Sequence, residues 1–345
     1  MFLHLTFQEY LTACALARRL ERKTSTTAGH RRRKDGRSRR LPKIWEEVDR
    51  NAWLPEWHEV LILLAGILKE PVPLLELLTD ELCPDNKPRD DVFRHRLALA
   101  ACCLPELPAA PRQTYTTHVD RITTTTFGMW WEHHRYNTGV AVTHLSRALP
   151  ALGQVNGRVP RTLHHRRGKG TISCPTPDVH DNIPLQQWLA QQLGAGAEVA
   201  SVRAAAVEAV ERLGSAAATE PILVVIVRLL QDPDAHFWAA ALLGRLGSAA
   251  ATEPILMVLA RLLQDADVHV RRAAAMAVGR LGSAAATEPI LVALVPLLQD
   301  TDVYVRQTAV EAVGRLGSTA ATESFLARII HESQTRPWDS LHDVL

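Results

Sequence analysis

The phrase RLGSAAATEPIL stands at residues 212–223, again at 245–256 and again at 280–291, and a divergent copy, RLGSTAATESFL, fills 315–326. Its glycines Gly214, Gly247, Gly282 and Gly317 are 33, 35 and 35 residues apart. A repeat of that length is one two-helix unit of a solenoid. A unit so short cannot bury its own apolar face, so neighbours must stack and share a core. The rest of the chain has to be read against that array.

Each unit opens with Thr-Glu-Pro, as at Thr252-Glu253-Pro254. Thr suits an N-cap, Glu faces the positive end of the helix, and Pro in the first turn sacrifices no hydrogen bond. The fourth copy has Ser324 in place of Pro. This first helix reaches Leu-Leu-Gln-Asp, and an Asp-x-Asp turn follows at Asp232/Asp234, Asp265/Asp267 and Asp300/Asp302. A second helix then runs to the next glycine. Counting back from the glycines aligns Val202, Val270 and Val305, then Ala206, Ala274 and Ala309, then Ala209, Ala277 and Ala312, then Leu213, Leu281 and Leu316. Positions i, i+4, i+7 and i+11 share one helix face, which predicts the buried seam between units. Arg203, Arg271 and Arg306 follow the seam valine and read as a structural ladder to the turn aspartates.

Two defects interrupt the pattern. The second unit is two residues short, which predicts a cut second helix, a lost arginine, and partial exposure of Phe237 and Trp238. Pro296 falls in a first helix and is expected to kink it at about 3 kcal/mol.

Upstream, residues 1–20 read as an amphipathic helix using Phe7, Leu11, Cys14, Ala15 and Leu16. No cap or linker precedes Phe2, which suggests a fragment or a shortened reading frame. The string FLHLTFQEYL, through Phe2, His4, Thr6, Phe7, Gln8, Glu9 and Tyr10, resembles the motif that closes the helical region of NACHT-type signalling NTPases. WHEVLILLAGIL at 57–68 and RLALAACCLPELP at 96–108 resemble the next helices of those proteins, and the C-terminal array resembles their HEAT-like repeats. That resemblance implies a sensor or scaffold part of a bacterial NACHT-type (STAND-class) protein, with defence against phage as one such setting. A second resemblance, confined to about 200–330, is to accessory proteins of phycobilin lyases with similar repeats.

The NTPase itself is missing. A P-loop needs G-x-x-x-x-G-K-[ST] to wrap phosphates. The nearest string, Arg167-Gly168-Lys169-Gly170-Thr171, has Leu163 at the first glycine and Gly170 at the hydroxyl. Other chemistry is equally thin. Adjacent His133-His134 and His164-His165 would point about 100° apart on a helix and do not chelate one ion. Ser215, Ser248, Ser283 and Ser318 recur only with the repeat, outside any nucleophile motif. The reading is of a non-enzyme with no cofactor.

Between Arg18 and Lys43 lie twelve Lys or Arg residues, including Arg31, Arg32, Arg33, Lys34, Arg39 and Arg40. They could contact a phosphate backbone, with affinity falling steeply in salt. The plainer reading is a solvated loop, since no aromatic residue for base stacking is interleaved. The five cysteines are scattered and read as reduced thiols. The longest apolar run, Val60 to Leu68, is about half a membrane span, so no membrane partner is expected and the chain reads as cytoplasmic.

The sequence therefore predicts an all-α protein, an α-solenoid of HEAT-like helical repeats preceded by an irregular helical segment. The divisions are a remnant helix at 1–22, a basic disordered loop at 23–43, a helical segment at 44–110, a poorly ordered helical and loop region at 111–185, the array at 186–335 and a tail at 336–345. Within 111–185, helices are expected over Thr114–His134 and Gly139–Ala148, and a loop over 150–178. Solenoids bind partners through the row of second helices. Residues that differ between copies on that row include Ala204, Val207 and Glu208. The candidate binding residues are Trp238, His269, Arg272, Met276, Tyr304 and Gln307, and the expected ligand is a protein partner.

Overall fold

The computed structural model describes residues 2–27, 43–79, 90–91, 93–108, 115–135, 142–155, 157–161, 163, 182–194, 200–232 and 234–335. The basic residues Arg31 to Arg40, His164-His165 and the tail from 336 lie outside them. The described residues form two compact units, residues 1–188 and 189–345. The architecture is all-α with one small ribbon.

In the first unit the helices are α1 (Phe2–Thr27), α2 (Lys43–Asn51), α3 (Pro55–Ile67), α4 (Val72–Thr79), α5 (His95–Cys103), α6 (Thr116–Arg135) and α7 (Val142–Gln154). The expected apolar face of the first helix is displaced. Ala13, Leu16, Ala17 and Leu20 are buried, while Phe7 is 60% exposed and Tyr10 and Leu11 also face solvent. α1 packs on α3, and its buried side chains run from Ala13 to Leu20.

The expected loop over 150–178 also changes where it is described. α7 continues through Pro150 to Gln154, and β1 (Arg158–Pro160) pairs antiparallel with β2 (Asn182–Pro184). The threonines of α6 explain why this ribbon sits where it does. Thr124 donates its hydroxyl to the Arg158 carbonyl at 3.0 Å, and Asp120 accepts from the Arg158 N–H at 2.9 Å. A side chain at Gly157 would collide with Thr123, whose Oγ1 would be 2.1 Å from an added Cβ. Within this β-branched run, which disfavours a helix, Thr124 grips the strand.

Large single side chains fill this unit. Trp130 is fully buried, stacks on Phe127, and donates its indole N–H to Ser146 at 2.9 Å. Buried Arg96 binds the Asp49 carboxylate and the Leu77 carbonyl, so its charge is both paired and hydrogen-bonded.

α8 (Leu185–Gly194) carries the chain into the second unit, whose described helices are α9 (Ala200–Leu213), α10 (Glu220–Leu230), α11 (His236–Leu246), α12 (Glu253–Leu262), α13 (Val268–Leu281), α14 (Glu288–Leu297), α15 (Val303–Leu316) and α16 (Glu323–Thr335). First helices α10, α12, α14 and α16 pack in one row, and second helices α9, α11, α13 and α15 in another. The aligned alanines and leucines of the seam are buried as predicted. The repeat glycines end each second helix at φ between +58° and +66°. With ψ near −150° at Gly247 and Gly317, this is backbone that only glycine adopts cheaply.

Two local expectations are corrected. Thr219, Thr252 and Thr287 stand at N-cap positions but accept no capping hydrogen bond, and the Thr219 and Thr287 hydroxyls are buried without a partner. Only Thr322 accepts one, from the Phe325 N–H at 3.3 Å, in the copy where serine replaces proline. The caps lie instead on the second helices. Asp267 accepts from the His269 N–H at 2.7 Å, and Asp302 from the Tyr304 N–H at 2.8 Å. Pro296, for its part, sits in the last turn of α14. That helix has the same 10 residues as α12, because so late a proline removes one bond and shortens nothing.

Candidate functional site

The second-helix row gathers the side chains that differ between copies, and α11 is its pivot. At 11 residues, α11 is shorter than the 14 of α13 and α15, as the two-residue deletion requires. Counted from the closing glycine, His236 occupies the place of Arg271, Phe237 that of Arg272, and Trp238 that of Ala273. The lost arginine is partly replaced. His236 is buried, and its Nδ1 lies 3.1 Å from the Asp232 carbonyl, as Arg271 Nη1 lies 2.9 Å from the Asp265 carbonyl.

Trp238 has the larger effect. Its counterparts Ala205 and Ala273 are buried between neighbouring helices, and an indole does not fit an alanine slot. α9 and α11 touch much less than α11 and α13 do. Between them lies an open pocket of about 810 Å³ lined by Ala204, Val207 and Trp238, with Arg203, Glu208, Glu211, Arg212 and Arg245 around them. Arg212 pairs with Glu208 at 2.9 Å, and the exposed Arg245 approaches Glu211 at 3.9 Å. The volume lies within the usual range for ligand pockets.

On the other side of α11 the aromatic neighbour is used differently. The guanidinium carbon of Arg272 lies 5.2 Å from the Phe237 ring centre and 5.1 Å from that of Tyr304. Both ring contacts are within cation–π range. The adjacent Arg271 does structural work. It binds both Asp300 carboxylate oxygens, at 2.8 and 3.0 Å, and reaches the Asp265 and Ala266 carbonyls of its own turn. Its bond to Asp300 raises the Arg271 pKa. Burial alone would raise the Asp300 carboxyl, but Arg271 and the Asp302 N–H outweigh it and hold that group below the usual carboxylate range. This rung of the expected ladder joins two neighbouring repeats. Arg306 turns to the Asp300 and Thr301 carbonyls of its own turn.

The structure thus brings Arg272 together with Tyr304, and Trp238 with the Ala204–Glu208 stretch. His269 is exposed, its ring 5.8 Å from that of His236. Half-buried Met276 and exposed Gln307 lie on the same row outside both clusters. Sequence reasoning missed Phe237 as a stacking partner and the arginines of the pocket rim. Aligning the short unit from its glycine end would have placed Trp238 in an alanine slot.

In the first unit, the His95 and His144 rings lie 3.8 Å apart, tilted by 46°, and His95 Nδ1 is 2.7 Å from Asp91. Burial, and then the charge of His95, push the His58 and His144 imidazoles below their ordinary value. Burial likewise pushes the Cys103 thiol far up, and it donates to the Leu61 carbonyl, a packed rather than a reactive cysteine. Cys14, Cys102 and Cys103 are free. Among the described residues no cluster of three metal-ligating side chains forms, and no helix is long and apolar enough to cross a membrane.

Residues 255–336 match the family model of HEAT repeats. No curated protein matches the chain. Among solved structures, one engineered protein is 18% identical over 66% of this chain and 85% of its own, with a TM-score of 0.35. A second engineered protein is 20% identical over 84% of this chain and 71% of its own, at 0.34. A mutant of Kap121p is 16% identical over 86% of this chain and 32% of its own, at 0.38.

Proposed function

We propose that the chain is a non-catalytic protein-binding scaffold that works through the second-helix row of its repeats. One observation supports this most directly. The repeat holds its buried face constant and varies the exposed face, where it leaves large side chains in solvent. Phe237 is 40% and Tyr304 57% exposed, beside the Trp238 pocket. Exposed aromatics and arginine are what protein interfaces use as anchors.

The likeness of Phe2–Tyr10 to the motif of NACHT-type proteins supports a further context, service to a signalling NTPase that this chain does not itself contain. In that setting the described α1 offers exposed Phe7, Tyr10 and Leu11.

The test is quantitative affinity capture from the source organism with three baits: the native chain, a Trp238→Ala/Arg272→Ala/Tyr304→Ala variant, and a first-row control, Val224→Ser/Met257→Ser. A partner held by the native chain and the control but lost from the triple variant is the expected result. Equal capture by all three would sink the reading, and a P-loop NTPase among the specific partners is expected if the NACHT context holds.

A further inference from the structure

The neighbouring arginines Arg271 and Arg272 have opposite fates, and the difference identifies what the row recognises. Arg271 is saturated by Asp300 and two carbonyls. Arg272 has aromatic rings at 5.2 and 5.1 Å and, among the described residues, neither a carboxylate nor a hydrogen-bond partner. The acids around it are already engaged. Asp300 is taken by Arg271, Asp302 caps α15 through the Tyr304 and Val305 N–H groups, and Glu311 pairs with Arg315. A guanidinium is planar, permanently charged, and donates only in its plane. Rings beside it limit its rotamers and leave the N–H edge to be satisfied from outside.

We infer that Arg272 is the anchor for a carboxylate of an incoming polypeptide, an extended segment carrying Asp or Glu flanked by apolar side chains. This rests on the protein-binding reading above and names the chemistry of the partner. The carboxylate takes two in-plane N–H bonds from Arg272, the strongest geometry available to an arginine. The flanking side chains lie on Phe237 and Tyr304, whose exposed ring surface loses water on contact. Holding Arg272 in place beforehand lowers the ordering cost of binding.

The experiment selects 12-residue peptides from a random displayed library on the full-length chain, and measures the best as synthetic peptides. Enrichment of Asp or Glu between apolar residues is expected. Arg272→Gln should weaken the best peptide at least about tenfold, as loss of a charge-assisted bond does. Changing the peptide's acid to its amide should cost the same, and the two changes together little more than either alone. Arg272→Lys, which keeps the charge without the fork, should fall between. Circular dichroism of each variant must match the native chain and melting must stay close to it, since the contacts given for half-buried Arg272 are the two rings alone.

Selected peptides without an acid, or acidic peptides indifferent to Arg272→Gln, overturn the anchor. If those peptides are still lost with Trp238→Ala/Tyr304→Ala, the row remains a protein-binding surface and only its chemistry was misassigned. No enriched peptide at all overturns the anchor as well. So does binding of a twelve-nucleotide thymidine strand that depends on Arg272, since it would make phosphate the target.

Discussion

In residues 1–188 each large buried side chain occurs once. Trp130, Phe127 and Arg96 fill places that no other residue repeats, and each polar one has its own partner. In residues 189–335 the buried positions return as Ala, Val and Leu every 33 to 35 residues, and one glycine geometry closes every second helix. The first unit is specified by particular long-range contacts, the second by a rule applied several times. A chain built by the rule can vary its exposed face without touching its core, which is why the recognition residues are proposed on the repeats.

The largest expected difference between the units follows from Trp130. Trp130→Ala should cost about 3–5 kcal/mol. Segment-resolved hydrogen exchange should show protection lost across residues 43–188 and kept in 253–335. Equal loss in both would mean that the two units do not differ in this way. Within the array, Gly244→Ala comes next. An added Cβ would lie 2.5 Å from Arg280 Cβ, an overpacking expected to cost about 1–3 kcal/mol in urea unfolding.

The same repeat position at Gly314 has nothing within 4 Å, so Gly314→Ala should stabilise by roughly 0.5–1 kcal/mol. A cost at Gly314 would contradict the view that neighbour contact alone decides the sign. Acid should produce the smallest effect. His58 and His144 titrate below their ordinary value of 6.5, so the folded form favours neutral imidazole. Their stabilisation is complete above 6.5 and fades as pH falls through the lower folded values. Exchange in α3, α5 and α7 should quicken in that window, and His58→Asn/His144→Asn should flatten the response. The Arg271–Asp300 pair of the array persists until the depressed Asp300 carboxyl is protonated, at far lower pH.

The array was legible because its signal is periodic. Val270, Ala274, Ala277 and Leu281 can be assigned to one buried face by counting, and the structure buries all four. The caps were misplaced because Thr-Glu-Pro and Asp-x-Asp both fit a helix start, and only geometry shows which oxygen meets an N–H. In the first unit, β1 and β2 are three residues each and lie about twenty residues apart in sequence, too short for alternation to register. Nothing local marks Thr124 as the grip on that ribbon, or Arg96 as a core residue. At the proposed binding surface, the candidate positions could be found as departures from the repeat. That Phe237 stacks on Arg272 could not, because the contact joins two units and depends on where a deletion was absorbed.

The indole in an alanine slot also has a mechanical consequence. A stack of identical joints bends evenly along its length, but among the described second helices α9 and α11 touch least, across an open pocket. Flexing of the array is expected to concentrate there, with α11 to α16 moving as a stiffer lever. A side chain wedged against Trp238 would then act as a splint, fixing the angle at which the Arg272 edge is presented one repeat further along the stack.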